Sequence, residues 1–152
     1  ALQETERRAA RQGFTNLHTR VLDATRPDAV ADLMKAGAFD RVVIDAPCSG
    51  AGTWRRNPDS RWRLTEASLG TLQPIQDQLL AQASASVKAG GYLVYATCSW
   101  LVEENEDRVS QFLSEHPEFT LLSQSMVGAP EDDADTMFVA VMLNSQLGVR
   151  DT

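Results

Sequence analysis

At 152 residues, 43% hydrophobic and 23% charged, the chain has the length and composition of one globular domain, which buries about 70% of its unfolded surface. No apolar run approaches the roughly 20 residues that span a membrane, nothing reads as a signal peptide, and two cysteines make no disulfide framework. The expectation is a cytoplasmic protein with free thiols and no membrane partner. A net charge of −7 argues against a domain that coats nucleic acid with its whole surface.

Glu4–Gln12 (ETERRAARQ) is built of good helix formers, and Gly13 follows as a C-cap. Leu17–Leu22 alternates weakly and predicts a strand that ends at Asp23. Ala29–Ala36 predicts a short helix with Gly37 just past it. Phe39–Gly52 (FDRVVIDAPCSGAG) is the centre of the chain. Its β-branched run Val42-Val43-Ile44 predicts a strand buried on both faces, ended by Asp45 and the turn Ala46-Pro47-Cys48-Ser49-Gly50. Asn57-Pro58-Asp59 marks a loop, and Thr65 with Ser68 can cap the next helix. Pro74 interrupts that helix, so its main part is expected at 75–87, with Leu79, Leu80 and Ala83 as its apolar stripe. A Gly90-Gly91 turn then opens a second buried strand, Tyr92–Ala96, followed by Thr97-Cys98-Ser99. Glu103–Glu115 predicts a helix, stopped by His116-Pro117. Phe119–Leu122 and Met137–Leu143 predict the last two strands, joined by the loop Gly128–Asp135.

Strands alternating with helices predict an α/β fold with a mostly parallel sheet whose last strand is antiparallel. In open sheets of this kind, ligands bind outside the carboxyl ends of the strands. Cys48 and Cys98, the chain's two cysteines, each stand just past a predicted strand. If those strands are neighbours, about 4.8 Å apart, both thiols open into one crevice. Arg55, Arg56, Arg61 and Arg63 follow within nine positions, with Trp54 and Trp62 among them. Arginine interleaved with aromatics suits phosphate contact and base stacking, although a solvated loop with two tucked-in tryptophans reads equally well. No glycine-rich strand-to-helix turn of the G-x-G type occurs. The chain therefore reads as the second half of a Rossmann-like unit, with its N-terminal strands missing.

Four runs in order, Asp45-Ala46-Pro47-Cys48-Ser49-Gly50, Arg55-Arg56-Asn57-Pro58-Asp59, Tyr95-Ala96-Thr97-Cys98-Ser99 and Glu103-Glu104-Asn105-Glu106, resemble the Fmu/Sun family. These are S-adenosylmethionine-dependent RNA (cytosine-5)-methyltransferases. The resemblance covers about residues 13–143. It implies that residues 1–152 form the C-terminal portion of one methyltransferase domain with a Rossmann-like sheet, acting on RNA, of the ribosomal kind by expectation.

Carbon 5 of cytosine is a poor nucleophile until a thiolate adds to carbon 6 and turns it into an enamine carbon. By resemblance, Cys98 is that nucleophile and Cys48 the thiol that assists release of the methylated product. Asp45 steadies the base edge or lies by the methyl donor. Asp23, Asp45 and Pro47 contact S-adenosylmethionine, Asp23 as acceptor for the adenine amine. Arg55, Arg56, Arg61 and Arg63 contact RNA, and no metal is implied. The Glu103–Glu106 run is read mainly as the acidic first turns of a helix. Asp135-Thr136-Met137-Phe138 departs mildly from the family's Asp-Gly-Phe-Phe. The missing glycine-rich loop predicts that this piece alone is inactive and self-associates through unpaired strand edges. The alternative expectation is a non-catalytic RNA-contact or assembly module.

Overall fold

The computed structural model describes residues 2–35 and 38–146. Helix α1 (Leu2–Arg11) closes in the expected way: Gly13 takes a left-handed φ of 74°, and Phe14 N–H donates to Ala9 C=O at 3.0 Å. Leu17–Leu22 is not a strand. A strand exists through its ladder partners, and no described residue offers one. The segment crosses the surface with Val21 88% exposed, tethered by side-chain contacts from Thr19 to Glu6 and from Arg20 to Asp32. Helix α2 (Pro27–Met34) starts earlier than expected because Pro27, with its preset φ, serves as a first helical residue. The expected end of that helix, Ala36 with Gly37, lies outside the described residues.

Strand β1 (Phe39–Asp45) lies at one edge of a four-stranded sheet of order β1-β2-β4-β3, with β2 at Val87–Thr97, β3 at Phe119–Val127 and β4 at Met137–Asn144. β1 and β2 pair in parallel, while β4 is antiparallel to both β2 and β3. Three strands thus run one way and the last runs against them. Gly90 and Gly91 do not open β2 but lie inside it. Two steps along β1, from Phe39 to Arg41, match five along β2, from Val87 to Tyr92. Gly90 absorbs that bulge at φ 76°, and a side chain at Gly91 would come within 3.0 Å of Asp40 C=O.

Helix α3 runs from Glu66 to Ser84 without stopping at Pro74. Thr65 and Ser68 form the expected capping box. The proline forfeits the bond that residue 74 would give to Gly70 C=O, a cost of about 3 kcal/mol. Leu80 is fully buried and Leu79 and Ala83 pack beside it, a burial that stabilises by about 2 kcal/mol per large side chain. The helix ends at Ser84, short of the expected Val87, because Val87 is already in β2 pairing with Phe39. Helix α4 (Glu106–Glu115) follows a 3₁₀ turn at Val102–Glu104. Val109 and Phe112 of α4 join Leu80, Ile44, Leu93, Tyr95, Phe138, Ala140 and Met142 in one core.

That core occupies one face of the sheet. The expectation that Val42–Ile44 is buried on both faces therefore fails. Ile44 is buried and Val42 packs at the margin, but Val43 points to the other face and is 68% exposed. No described helix is long and apolar enough to cross a membrane.

Candidate functional site

The two cysteine turns leave adjacent ends of β1 and β2, whose ladder reaches Asp45 opposite Ala96 and continues with Ala46 N–H donating to Ala96 C=O at 2.9 Å. Parallel pairing carries both chains past the sheet in the same direction, so both turns open on one side. Cys48 Sγ lies 3.3 Å from Cys98 Sγ, and both thiols are reduced and half-buried. Burial pushes the Cys48 thiol up to about 12, and the adjacent Cys98 adds to the rise.

Beneath the thiols is a buried polar network that the linear reading did not anticipate. Glu104, read from sequence as part of an acidic helix start, is fully buried in the 3₁₀ turn ahead of α4. Its carboxylate accepts from Ser49 N–H at 2.8 Å, Ser49 Oγ at 2.6 Å and Gln76 Nε2 at 3.2 Å. Gln76 also donates to Pro47 C=O at 3.0 Å. Asn105 holds the second turn: its Oδ1 accepts from Thr97 Oγ1 at 2.6 Å and its Nδ2 donates to Ser99 C=O at 2.9 Å. Tyr95 Oη donates to Glu104 C=O at 2.7 Å, and burial raises the phenol so that it stays a donor. The turns are also tied directly by Gly52 N–H to Cys98 C=O at 2.9 Å and by Trp54 packed edge-on to Trp100 at 5.0 Å. Gln76 did leave a trace in the sequence. It stands four residues before Leu80 on the inward stripe of α3, where an apolar residue belongs unless a polar group waits opposite.

The remaining expected residues fall into three places. Asp45 and Pro47 are exposed at the end of β1. Asp45 borders an apolar cleft of about 270 Å³ walled by Leu22, Ala24, Val30, Leu33, Val42 and Ile44. Asp23 is in an adjoining cleft, its Oδ1 accepting from Thr25 N–H at 3.1 Å and Thr25 Oγ1 at 2.6 Å; these bonds hold its carboxyl below the usual range. The arginines divide into two pairs. Arg55 and Arg56 are ion-paired to Asp133 and Asp135 of the loop before β4. Arg61 stacks on Trp62, 76% exposed, with its guanidinium 4.6 Å from the ring centroid. Arg63 lines a groove of about 260 Å³ that holds Cys48, Ser49, Leu64 and Leu72. Neither Arg61 nor Arg63 forms an ion pair with a described residue. Among the described residues, no cluster of three or more His, Cys, Asp or Glu is placed to hold a metal.

A family model described as 16S rRNA methyltransferase RsmB/F matches residues 2–143. A probable ribosomal RNA small subunit methyltransferase B of Synechocystis sp. is 41% identical over 109 residues, 72% of this chain and 24% of that protein. Ribosomal RNA small subunit methyltransferase B of Yersinia pseudotuberculosis is 36% identical over 131 residues, 82% of this chain and 30% of that protein. The chain thus spans about a quarter to a third of these relatives. Among solved structures, that of PH0851 superposes with a TM-score of 0.82 at 31% identity, over 93% of this chain and 34% of that one. NSun6 from Pyrococcus horikoshii with SFG superposes at 0.75 and 24% identity, over 96% of this chain and 39% of that one, a likeness of fold. The sheet is that of the Rossmann-like methyltransferases, and the chain belongs to the RsmB/F family of 16S rRNA methyltransferases.

Proposed function

We propose that this chain supplies the C-terminal, catalytic part of an RNA cytosine-5 methyltransferase domain that works on ribosomal RNA in the cytoplasm. The observation that carries the reading is the pair of thiols 3.3 Å apart beyond neighbouring parallel strands. Cys98 is the nucleophile: its thiolate forms a bond to carbon 6 of the target cytosine and leaves carbon 5 electron-rich. Cys48, with its thiol pushed up to about 12, stays protonated through neutral pH and presents an S–H donor to Cys98 Sγ. When a water molecule takes the carbon 5 proton of the methylated base, that C–H electron pair re-forms the carbon 5–carbon 6 double bond, the bond from carbon 6 to Cys98 Sγ breaks, and the departing thiolate accepts from the Cys48 S–H. Adduct formation and release thus fall to different thiols.

The apolar cleft beside Asp45 suits the nucleoside end of S-adenosylmethionine, since Leu22, Val30 and Leu33 offer surface for a purine. Asp23 and Asp45 supply acceptors for amine and hydroxyl donors, and Pro47 is exposed two residues past Asp45. The donor supplies an electrophilic methyl group on a sulfonium, and NSun6 from Pyrococcus horikoshii, of the same fold, was solved with the analogue SFG. RNA approaches along the groove at Arg63, with the Arg61–Trp62 pair close by in the chain, while Arg55 and Arg56 are engaged with Asp133 and Asp135.

In the intact enzyme, Cys98→Ala abolishes methyl transfer because no adduct forms. Cys48→Ala leaves a protein–RNA complex that survives denaturing electrophoresis. Accumulation of that complex in Cys98→Ala instead reverses the two roles. Absence of methyl transfer by the intact protein, with RNA binding unaltered in a variant lacking both cysteines, fits the alternative of a non-catalytic RNA-contact module.

A further inference from the structure

The reaction needs two cysteines, but the distance between them is set elsewhere. Glu104 and Asn105 are adjacent, and both are fully buried. The side chain of the first grips the residue after Cys48, while the side chain of the second grips the residues on either side of Cys98. Ser49 Oγ and Ser99 Oγ meet at 3.3 Å between the two grips. Three donors converge on the Glu104 carboxylate: Ser49 N–H, the Ser49 hydroxyl and the Gln76 amide. A carboxylate only accepts, so it satisfies all three, and buried charge-assisted bonds of this kind are costly to lose. Among the described residues no other side chain holds Ser49 as closely, Ser99 Oγ standing off at 3.3 Å.

We infer that Glu104 is a positioning residue that holds the Cys48 thiol in register with Cys98 and so governs release of the covalent RNA adduct. It acts through Ser49 and touches neither substrate nor the reacting atoms. The inference rests on the proposed division of labour between the thiols. It makes a claim that a general stabilising role does not: loss of Glu104 impairs the step assigned to Cys48 while leaving Cys98, held by Asn105, able to form its adduct.

The test uses the intact enzyme with S-adenosylmethionine and a cytosine-containing ribosomal RNA fragment, comparing Glu104→Gln, Ser49→Ala and Cys48→Ala. Glutamine keeps the volume but replaces one acceptor oxygen with a donor group. Ser49→Ala removes one of the three donors and leaves the carboxylate buried as it was, so it carries the test if Glu104→Gln does not fold. Turnover in Glu104→Gln falls by about tenfold or more, the scale of one lost charge-assisted bond. Denaturing gels then show methylated RNA bound covalently to Glu104→Gln, and to a smaller extent to Ser49→Ala, as they do for Cys48→Ala. Adduct in Cys48→Ala, with none in folded Glu104→Gln or Ser49→Ala, overturns the inference alone. Absence of adduct in Cys48→Ala overturns the division of labour, and this inference with it.

Discussion

The thiol side and the donor side of this chain are built to different standards. Around Cys48 and Cys98, side chains from α3, the 3₁₀ turn and both strands meet in a buried, bonded network. Around Asp23, the backbone lies on the surface, Val30 is the one buried residue among the described positions 2–35, and the polar contacts are exposed pairs such as Arg26 with Asp28. The contrast follows from contact range. The turn that carries Cys48 bonds to residues about 30 to 55 positions away in the chain, whereas Asp23 bonds only to Thr25 and Arg26 among the described residues. A geometry specified by long-range buried contacts survives thermal motion, and one held by exposed local pairs worth at most about 1 kcal/mol does not.

Two glycines break this comparison most sharply. A methyl group on Gly52 would sit 1.9 Å from Thr136 C=O, backbone that is itself bonded to Gly52. Gly52→Ala is expected to cost about 3 kcal/mol or more in a denaturant melt and to pull the cysteine turns apart. Gly13→Ala on the other side meets nothing within 4 Å and carries only the left-handed φ, so about 1 kcal/mol is expected. Equal losses would mean the two sides are equally tight.

The thiols give the next largest effect. With its pKa moved from 9.0 to about 12, Cys48 presents about a thousandfold less thiolate near pH 8 than an ordinary cysteine. Mass-mapped alkylation with iodoacetamide should therefore leave Cys48 almost unmodified until strongly alkaline pH. The same shift ties stability to pH. The fold holds the thiol proton more tightly than the unfolded chain does, so this contribution is complete below pH 9 and is lost as pH climbs toward 12. Cys48→Ala should flatten that alkaline loss, and an unchanged profile would count against it.

Smaller effects concern the surfaces. Replacing Arg61 and Arg63 with Ala should weaken RNA binding and lower its salt slope by about 0.7 for each phosphate contact removed. The same change at Arg55 and Arg56 should lower it less, because those guanidiniums are engaged with Asp133 and Asp135. A salt slope unmoved by all four replacements would return the segment to a solvated loop. On the donor side, titration calorimetry of the chain by itself should show no measurable S-adenosylmethionine binding; micromolar affinity would mean the cleft is complete as it stands. The outer edge of β1 has no ladder partner among the described residues, so the chain should self-associate. Val43→Lys should reduce that in sedimentation, as charge blunts an open edge.

Local chemistry was enough to find every strand of the sheet, though β2 starts five residues before and β3 ends five residues after the expected bounds, and to find the capping box at Thr65, the glycine close of α1 and the convergence of Cys48 with Cys98. Those features depend on short-range preferences and on the single fact that neighbouring parallel strands end side by side. Other features are decided by partners distant in the chain. Leu17–Leu22 has strand-like alternation, but alternation without a ladder partner leaves it coil. Pro74 is a helix breaker in isolation and is overruled by the packing of Leu80. Gly90 and Gly91 have the composition of a turn, and only pairing with β1 makes them a bulge. Glu104 is the sharpest case. In sequence it is one acid in a polar run, indistinguishable from its exposed neighbour Glu103. It is buried because Ser49 and Gln76, 55 and 28 residues away, bring the donors that a desolvated carboxylate must have, and no reading of neighbouring residues can supply them.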